Sequence, residues 1–396
     1  MHMHVSPTVA AIAEPATLLM ARRSRELRAQ GRDIIDLSLG EPDHEPPAFA
    51  LDAAHEALRG PWHKYPPVNG YLDVRQAIAD KFERDNGLHY TADQIVVSTG
   101  AKQALMNVVM SLVGPGDEVV IPAPFWVSYS EQVRLAGGTP VIVHSTLEED
   151  WKAPIDRIAA AINERTRLIM FSSPCNPSGS VLSGEELEAL AEVVRRHPNL
   201  YVVADEIYEH IVFDGAHRSF AALPGMAERT ITVNGLSKAF ALTGWRLGFI
   251  GAPLWIAQAA TKVQGQFTSG TNSIAQRVAK ACMEADPAQL GAMRTDFLRR
   301  RDLVLRELRK IPGWRCNVPQ GAFYLLPDVR SCIDGKIIKG SVDLSLYLLD
   351  TVGVSLVEGR SFGAEGTLRI SYATSDDKLS EAMARVAKGV AQLKGA

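Results

Sequence analysis

Residues 94–121 read Gln-Ile-Val-Val-Ser-Thr-Gly-Ala-Lys-Gln-Ala-Leu-Met-Asn-Val-Val-Met-Ser-Leu-Val-Gly-Pro-Gly-Asp-Glu-Val-Val-Ile. The apolar run 94–98 reads as a strand and stops at Thr-Gly. Residues 102–113 then carry apolar side chains at helical spacing, and Gly-Pro-Gly-Asp (114–117) ends that helix. Residues 118–121 are a second apolar run. Strand, long helix and strand in this order make a βαβ unit of a parallel sheet. Its crossover is right-handed, because only that hand packs a helix back onto a twisted sheet.

The alternation continues outward. Helices are expected at 16–30, 47–58, 73–83, 127–136, 155–161 and 184–196, and strands at 139–144, 168–172, 200–204, 230–233 and 247–250. Residues 34–39 form a short apolar run ending in the loop Gly40-Glu41-Pro42-Asp43. Past about residue 290 the texture changes. A strongly basic helix is expected at 298–309, short β regions at 321–326 and 367–371, and a last helix from 378, which together read as a smaller α+β domain. Residues 1–12 are weakly patterned and read as an arm that needs a partner surface.

The chain has 396 residues, 46% hydrophobic and 22% charged, the balance of a globular protein. Lys+Arg is 42 against Asp+Glu 45, a net charge of -3, which supplies no reason to expect nucleic acid or an anionic membrane as partner. No apolar run approaches the length of a bilayer span. No basic region followed by an apolar stretch marks a secretory leader. Cys175, Cys282, Cys316 and Cys332 show no CxxC spacing. They argue against a disulfide scaffold or a zinc ribbon, and a cytoplasmic location is expected.

Several segments carry chemistry. In 232–248, an apolar strand runs into Gly235-Leu236-Ser237-Lys238, with Arg246 eight residues on. A lysine at the mouth of an apolar strand is partly desolvated, which lowers its pKa and makes its amine nucleophilic. Ser237 and Arg246 together suit a phosphate. Asp205 ends the strand 200–204, where ligands bind in open α/β sheets, with Tyr208 expected one helical turn on; a helix N-cap is the plainer reading of this Asp. Ser172-Ser173-Pro174-Cys175-Asn176-Pro177-Ser178-Gly179 follows another strand and holds Asn176 in a narrow backbone range, with either proline a candidate for a cis bond. It also suits an ordinary turn. Ser98-Thr99-Gly100 leads into a helix N-terminus, whose free amides attract anions. The chain lacks GxxxxGK[ST] and GxGxxG, so neither a P-loop nor a nicotinamide fingerprint is present.

From about residue 15 onward the chain resembles the class I aminotransferases of pyridoxal-phosphate fold type I, and within them the bacterial aspartate aminotransferase branch. The resemblance rests on LSLGEPD (37–43), KYPPVNGYLDVRQAI (64–78), GAKQAL (100–105), GPGDEVVIPAPFWVSY (114–129), SSPCNPSG (172–179), VVADEIYE (202–209), NGLSKAFALTGWRLG (234–248), PQGAFY (319–324) and LRISYA (368–373). Cys175 stands where the family more often has Asn.

The resemblance implies a mixed, mostly parallel sheet of the seven-stranded type wrapped by helices, in a large domain at 46–292. A small α+β domain would comprise 15–45 and 293–396, and 1–14 would be an arm. It implies pyridoxal 5'-phosphate as cofactor and no metal. Lys238 would hold the cofactor as a Schiff base and later move the substrate proton. Asp205 would face the ring nitrogen, Tyr208 and Asn176 the ring oxygen, and Trp126 the ring face. Gly100, Ala101, Lys102, Ser237 and Arg246 would hold the phosphate. Arg369 would clamp the substrate α-carboxylate beside Gly40, Trp126 and Asn176. Lys102 would also read a distal carboxylate, and Tyr65 would reach the phosphate of the other subunit in a homodimer with shared sites. The implied reaction is transamination between an L-amino acid and a 2-oxo acid, with aspartate and 2-oxoglutarate giving oxaloacetate and glutamate. Aminotransferases of aromatic, branched, basic, alanine-type or broad specificity and pyridoxal-phosphate β-lyases share the same cofactor residues.

Overall fold

The computed structural model describes residues 5–395, so the first four residues of the expected arm lie outside the described residues. Strands β1 (Ile95–Ser98), β2 (Glu118–Pro122), β3 (Thr139–Val143), β4 (Thr166–Ser172), β5 (Tyr201–Asp205), β6 (Thr230–Gly235) and β7 (Gly248–Gly251) form one seven-stranded sheet. Their order is β1-β7-β6-β5-β4-β2-β3. All neighbours pair in parallel except β7, which runs antiparallel to both β1 and β6. The mixed, mostly parallel sheet expected from the sequence is therefore present.

Both faces of the sheet are covered, which is why its strands are apolar without alternation. Ile95 and Val97 pack into a core with the helices Ala48–Arg59, Leu72–Asn86 and Ser273–Glu284. Val96, one residue out of phase, packs with Ala101–Leu112 and Leu254–Phe267 on the opposite face. Local signals set several boundaries. Ser183 and Glu186 form a reciprocal capping box at the start of Gly184–Arg195.

The sequence reading placed no element at 254–267, 273–284 or 341–352, and each of these is a helix. The first two bury narrow stripes that include small residues, Ala257 and Ala260 in one, Ala275 and Ala279 in the other, and such stripes leave a weak hydrophobic period. The basic helix begins earlier than expected, at Gly291, and ends at Leu308. Within the arm, Pro7–Ala10 forms one helical turn capped by Ser6.

A second core gathers Phe297, Phe323, Leu344, Leu348 and Leu379 with Ile35 and Leu37 from the other end of the chain. It is built on strands β8 (Tyr324–Leu325), β9 (Val357–Glu358) and β10 (Leu368–Ser371), paired antiparallel in the order β9-β10-β8. Ile35–Asp36 pairs in parallel with Val354–Ser355. Ser371 N donates to Leu37 O at 2.9 Å, holding the 37–43 segment beside β10. Ile207 and Tyr208, just past the end of β5, belong to this second core. The carboxyl ends of β4, β5 and β6 thus face β10 across one cavity.

Candidate active site

That cavity is about 450 Å³ in volume. Gly40, Ala101, Lys102, Trp126, Asn176, Asp205, Tyr208, Ser237, Lys238, Arg246 and Arg369 all line it, so the structure brings together most of the residues singled out from the sequence. Gly100 abuts it without lining it. Tyr65 stands apart, 97% exposed, in a separate open depression beside Trp62 and Gly270–Ile274.

Lys238 follows β6 and donates from Nζ to the Gly40 carbonyl. Burial, reinforced by the Arg369 guanidinium, lowers its amine to about 8. Asp205 ends β5 and is 5% exposed. Burial pushes its carboxyl up to about 6, only partly offset by a hydrogen bond from Tyr129. Residues 206–210 form turns and not a helix, so Asp205 is not a helix N-cap and Tyr208 is not one helical turn on. Its Oδ1 accepts from the Ile207 amide at 3.3 Å and its Oδ2 from the Tyr129 hydroxyl at 2.7 Å.

Arg369 is 1% exposed. It donates to Asn176 Oδ1 at 3.0 Å and to the Ser38 carbonyl. Its guanidinium lies 4.6 Å from the Tyr324 ring centroid and 5.1 Å from that of Phe362. Its Nε has no hydrogen-bond partner, and among the described residues it forms no ion pair. A buried guanidinium without a counter-charge is costly, and a ligand carboxylate in the cavity would supply one.

Arg246 sits at the opposite end. It adopts the left-handed φ of 52° and is anchored by Thr243 O at 2.9 Å. Gly100, at φ 84°, lets it approach: a Cβ there would lie 2.5 Å from Arg246 Nη2. The first turn of Ala101–Leu112 presents its free amides nearby, so Ser237, Arg246 and this helix end gather donors suited to an anion. The Lys102 ammonium lies 4.9 Å from the Trp126 ring centroid. Burial and the Arg246 charge lower its pKa. Gly40 is required by packing, since a Cβ would come within 2.7 Å of the Tyr324 hydroxyl.

Sequence reasoning missed Tyr129 and Tyr324. The Tyr324 hydroxyl is 2.9 Å from that of Tyr208, and its ring faces Arg369. Both tyrosines lie inside quoted motifs, and Tyr129 follows Trp126 by three residues, its amide donating to the Trp126 carbonyl at 2.9 Å. Of the two prolines flanking Asn176, the Ser173-Pro174 bond is cis; Ala123-Pro124 is a second cis bond.

A buried carboxylate facing a cavity, a group of donors suited to an anion, a desolvated lysine and a buried guanidinium without counter-charge together fit pyridoxal phosphate and an amino acid. The family model for aminotransferase class I and II matches residues 32–386, and the chain belongs to that family. It is an aminotransferase. It is 43% identical over 390 residues to an aspartate/prephenate aminotransferase of Cereibacter sphaeroides, covering 96% of this chain and 97% of that one. It is also 43% identical over 399 residues to a bifunctional aspartate aminotransferase and glutamate/aspartate-prephenate aminotransferase of Petunia hybrida, covering 98% of this chain and 83% of that one. Among solved structures it is similar to the aspartate aminotransferase of Thermus thermophilus with maleate, with a TM-score of 0.93 and 39% identity over 98% of this chain and all of that one.

Proposed function

We propose that the protein transfers the amino group of aspartate to 2-oxoglutarate, giving oxaloacetate and glutamate, with pyridoxal 5'-phosphate as cofactor. The observation that carries this reading is Arg369, a buried guanidinium without counter-charge in the same cavity as Lys238 and Asp205. The names of the relatives support aspartate as donor.

Pyridoxal phosphate supplies an electron sink that makes the substrate Cα proton acidic. Everything else falls to the chain. Ser237, Arg246 and the amides after Gly100 would hold the phosphate. Asp205 would offer its carboxylate to the ring nitrogen, and Tyr208 and Asn176 would offer hydrogen-bonding groups to the ring oxygen. Trp126 would pack against the ring. Arg369 grips the α-carboxylate in a planar fork that lysine cannot form. Lys238 Nζ, desolvated and neutral above about pH 8, takes the proton from Cα. Lys102 meets the distal carboxylate. The rim residues Leu18 and Leu39 give the cavity an apolar side suited to a bulkier acceptor such as prephenate, which the relatives' names include.

Residues 15–45 and 293–396 are read as a small domain closing over 46–292. The exposed Tyr65 supports a homodimer in which each subunit completes the other's site, and four free cysteines support a reducing cytoplasm. The test is a spectrophotometric screen of amino donors and 2-oxo acceptors, prephenate among them, combined with borohydride reduction and peptide mapping. The pyridoxyl group is expected on Lys238 and aspartate is expected to be the fastest donor. A label on another lysine overturns the site, and a faster neutral donor overturns the specificity.

A further inference from the structure

Outside the cavity lining, the turn after Asp205 carries a buried charged cluster that none of the roles above uses. Glu206 and Glu209 are both buried. Lys81, 2% exposed, reaches in from Leu72–Asn86 and pairs with Glu209 Oε1. Asn86 and Asn234 each donate to Glu209 at 2.7 Å. Ser219 Oγ donates to Glu206 Oε1 at 2.9 Å. His217 Nε2 lies 3.0 Å from Glu206 Oε2 with its side chain 8% exposed, and neither atom has a well-aligned hydrogen bond.

Two buried carboxylates call for two positive charges, because an unpaired buried charge costs several kcal/mol. Lys81 is one. A metal ion would need Glu206, Glu209 and His217 together, whose ligand atoms come within 4.8 Å of one another. Lys81, however, already occupies the Glu209 carboxylate. Glu206 has its cationic partner in the His217 imidazole, whose Nε2 lies 3.0 Å from Oε2. Burial pulls that imidazole down, but Glu206 and Glu209 outweigh burial and leave it raised. The charged groups around it are Glu206 and Glu209 from the turn after β5 and Lys81 from Leu72–Asn86, with His210, whose Nε2 lies 3.2 Å from Glu209 Oε1, and Asp85 beside Lys81.

The cluster touches the site at two points. Glu206 is the residue after Asp205, and Asn234 lies in β6, four residues before Lys238. We propose that the His217 imidazolium is a positioning charge for the cofactor site: it balances Glu206 and so keeps Asp205 ionised toward a cationic ring nitrogen. This rests on the reading of Asp205 given above. Without His217, an uncompensated carboxylate stands next to Asp205 and draws the proton onto it. Asp205 is sensitive to such a change, since it already titrates at about 6.

The test is the pyridoxal-phosphate dissociation constant, measured by release from diluted holoenzyme above and below pH 6. His217→Gln should weaken binding by about tenfold at pH 5 and by only about twofold at pH 7, the pattern of moving the Asp205 titration up by about one pH unit. The double variant Glu206→Gln/His217→Gln removes both charges and should return to within about threefold of the parent, since a tenfold change is one pKa unit. No change in His217→Gln, or a double variant as weak as the single, overturns the proposal and leaves the cluster a packing feature. Glu206→Gln alone keeps the test readable if His217→Gln does not fold: unchanged or tighter binding supports the proposal and clear weakening overturns it. Asp205→Ala separates the two layers. If it leaves binding intact, the reading of Asp205 fails. If it weakens binding while His217→Gln does not, only the present proposal fails.

Discussion

The Tyr129 hydroxyl donates to Asp205 Oδ2 at 2.7 Å across 76 residues of sequence, and both groups are buried. The bond occupies one carboxylate oxygen and fixes the plane of the other. It also favours the ionised carboxylate, opposing the burial that raises Asp205. Tyr129→Phe keeps the ring and removes only the donor. Hydrogen bonds to charged groups contribute about 1.5–3 kcal/mol, so cofactor affinity should fall by an order of magnitude or more, with thermal stability little changed. Equilibrium release of the cofactor measures this, and unchanged affinity would sink the assignment.

Asp205 also predicts a pH dependence of the cofactor-free protein. Its folded-state value is about 6 and the ordinary value is 3.8. The folded state therefore holds a proton that the unfolded state has released, and stability drops as pH rises between those values. A difference of that size corresponds to on the order of 3 kcal/mol. Asp205→Asn should gain stability relative to the parent above pH 6 and lose that advantage below about pH 4. Denaturant melts of the cofactor-free proteins at both ends of the window check the sign.

Gly100→Ala brings a Cβ to 2.5 Å from Arg246 Nη2, at a φ of 84° that L-residues resist. The guanidinium must move, and the phosphate cradle opens. Backbone strain alone costs about 1–2 kcal/mol. Weakened binding of both the cofactor and inorganic phosphate is expected; equal binding of both by parent and variant would show that the cradle does not use Arg246.

Lys102→Ser tests the distal carboxylate. Losing a charge-assisted contact of about 1.5–3 kcal/mol should raise the KM for aspartate far more than that for alanine. A parallel rise in both would mean that Lys102 serves the phosphate and not the side chain.

Tyr65, exposed and remote from the cavity, predicts complementation. In a dimer with shared sites, a mixture of Tyr65→Phe and Lys238→Ala subunits would form hybrids with one intact site. Activity should reappear on mixing, and sedimentation should show dimers. Full activity in a monomer would end the shared-site idea.

Much of the fold is legible in the sequence because the strands are apolar runs closed by Gly, Pro or Asp. Strand positions at 94–98, 118–121 and 168–172 lie within two residues of those observed. The cavity residues came from the ends of those runs and from the motif resemblance. The hidden part is tertiary. The β7 reversal depends on pairing with β1 and β6, which no local pattern encodes. Tyr129 and Tyr324 read as core aromatics until the partners of their hydroxyls are known. His217 lies in an irregular loop, and its charge means something only beside Glu206.

The pairing of Ile35–Asp36 with Val354–Ser355 has a consequence for biosynthesis. The large sheet is complete once Gly251 has emerged and its covering helices once Glu284 has, so this part can bury its faces while the rest of the chain is still being made. The segment 35–43 must wait, unpaired, for a partner more than three hundred residues downstream. Arg369 arrives later still. A nascent chain therefore assembles the donors around Gly100, Ser237 and Arg246 before Arg369 exists, and that buried guanidinium is the last charged group of the cavity to be made.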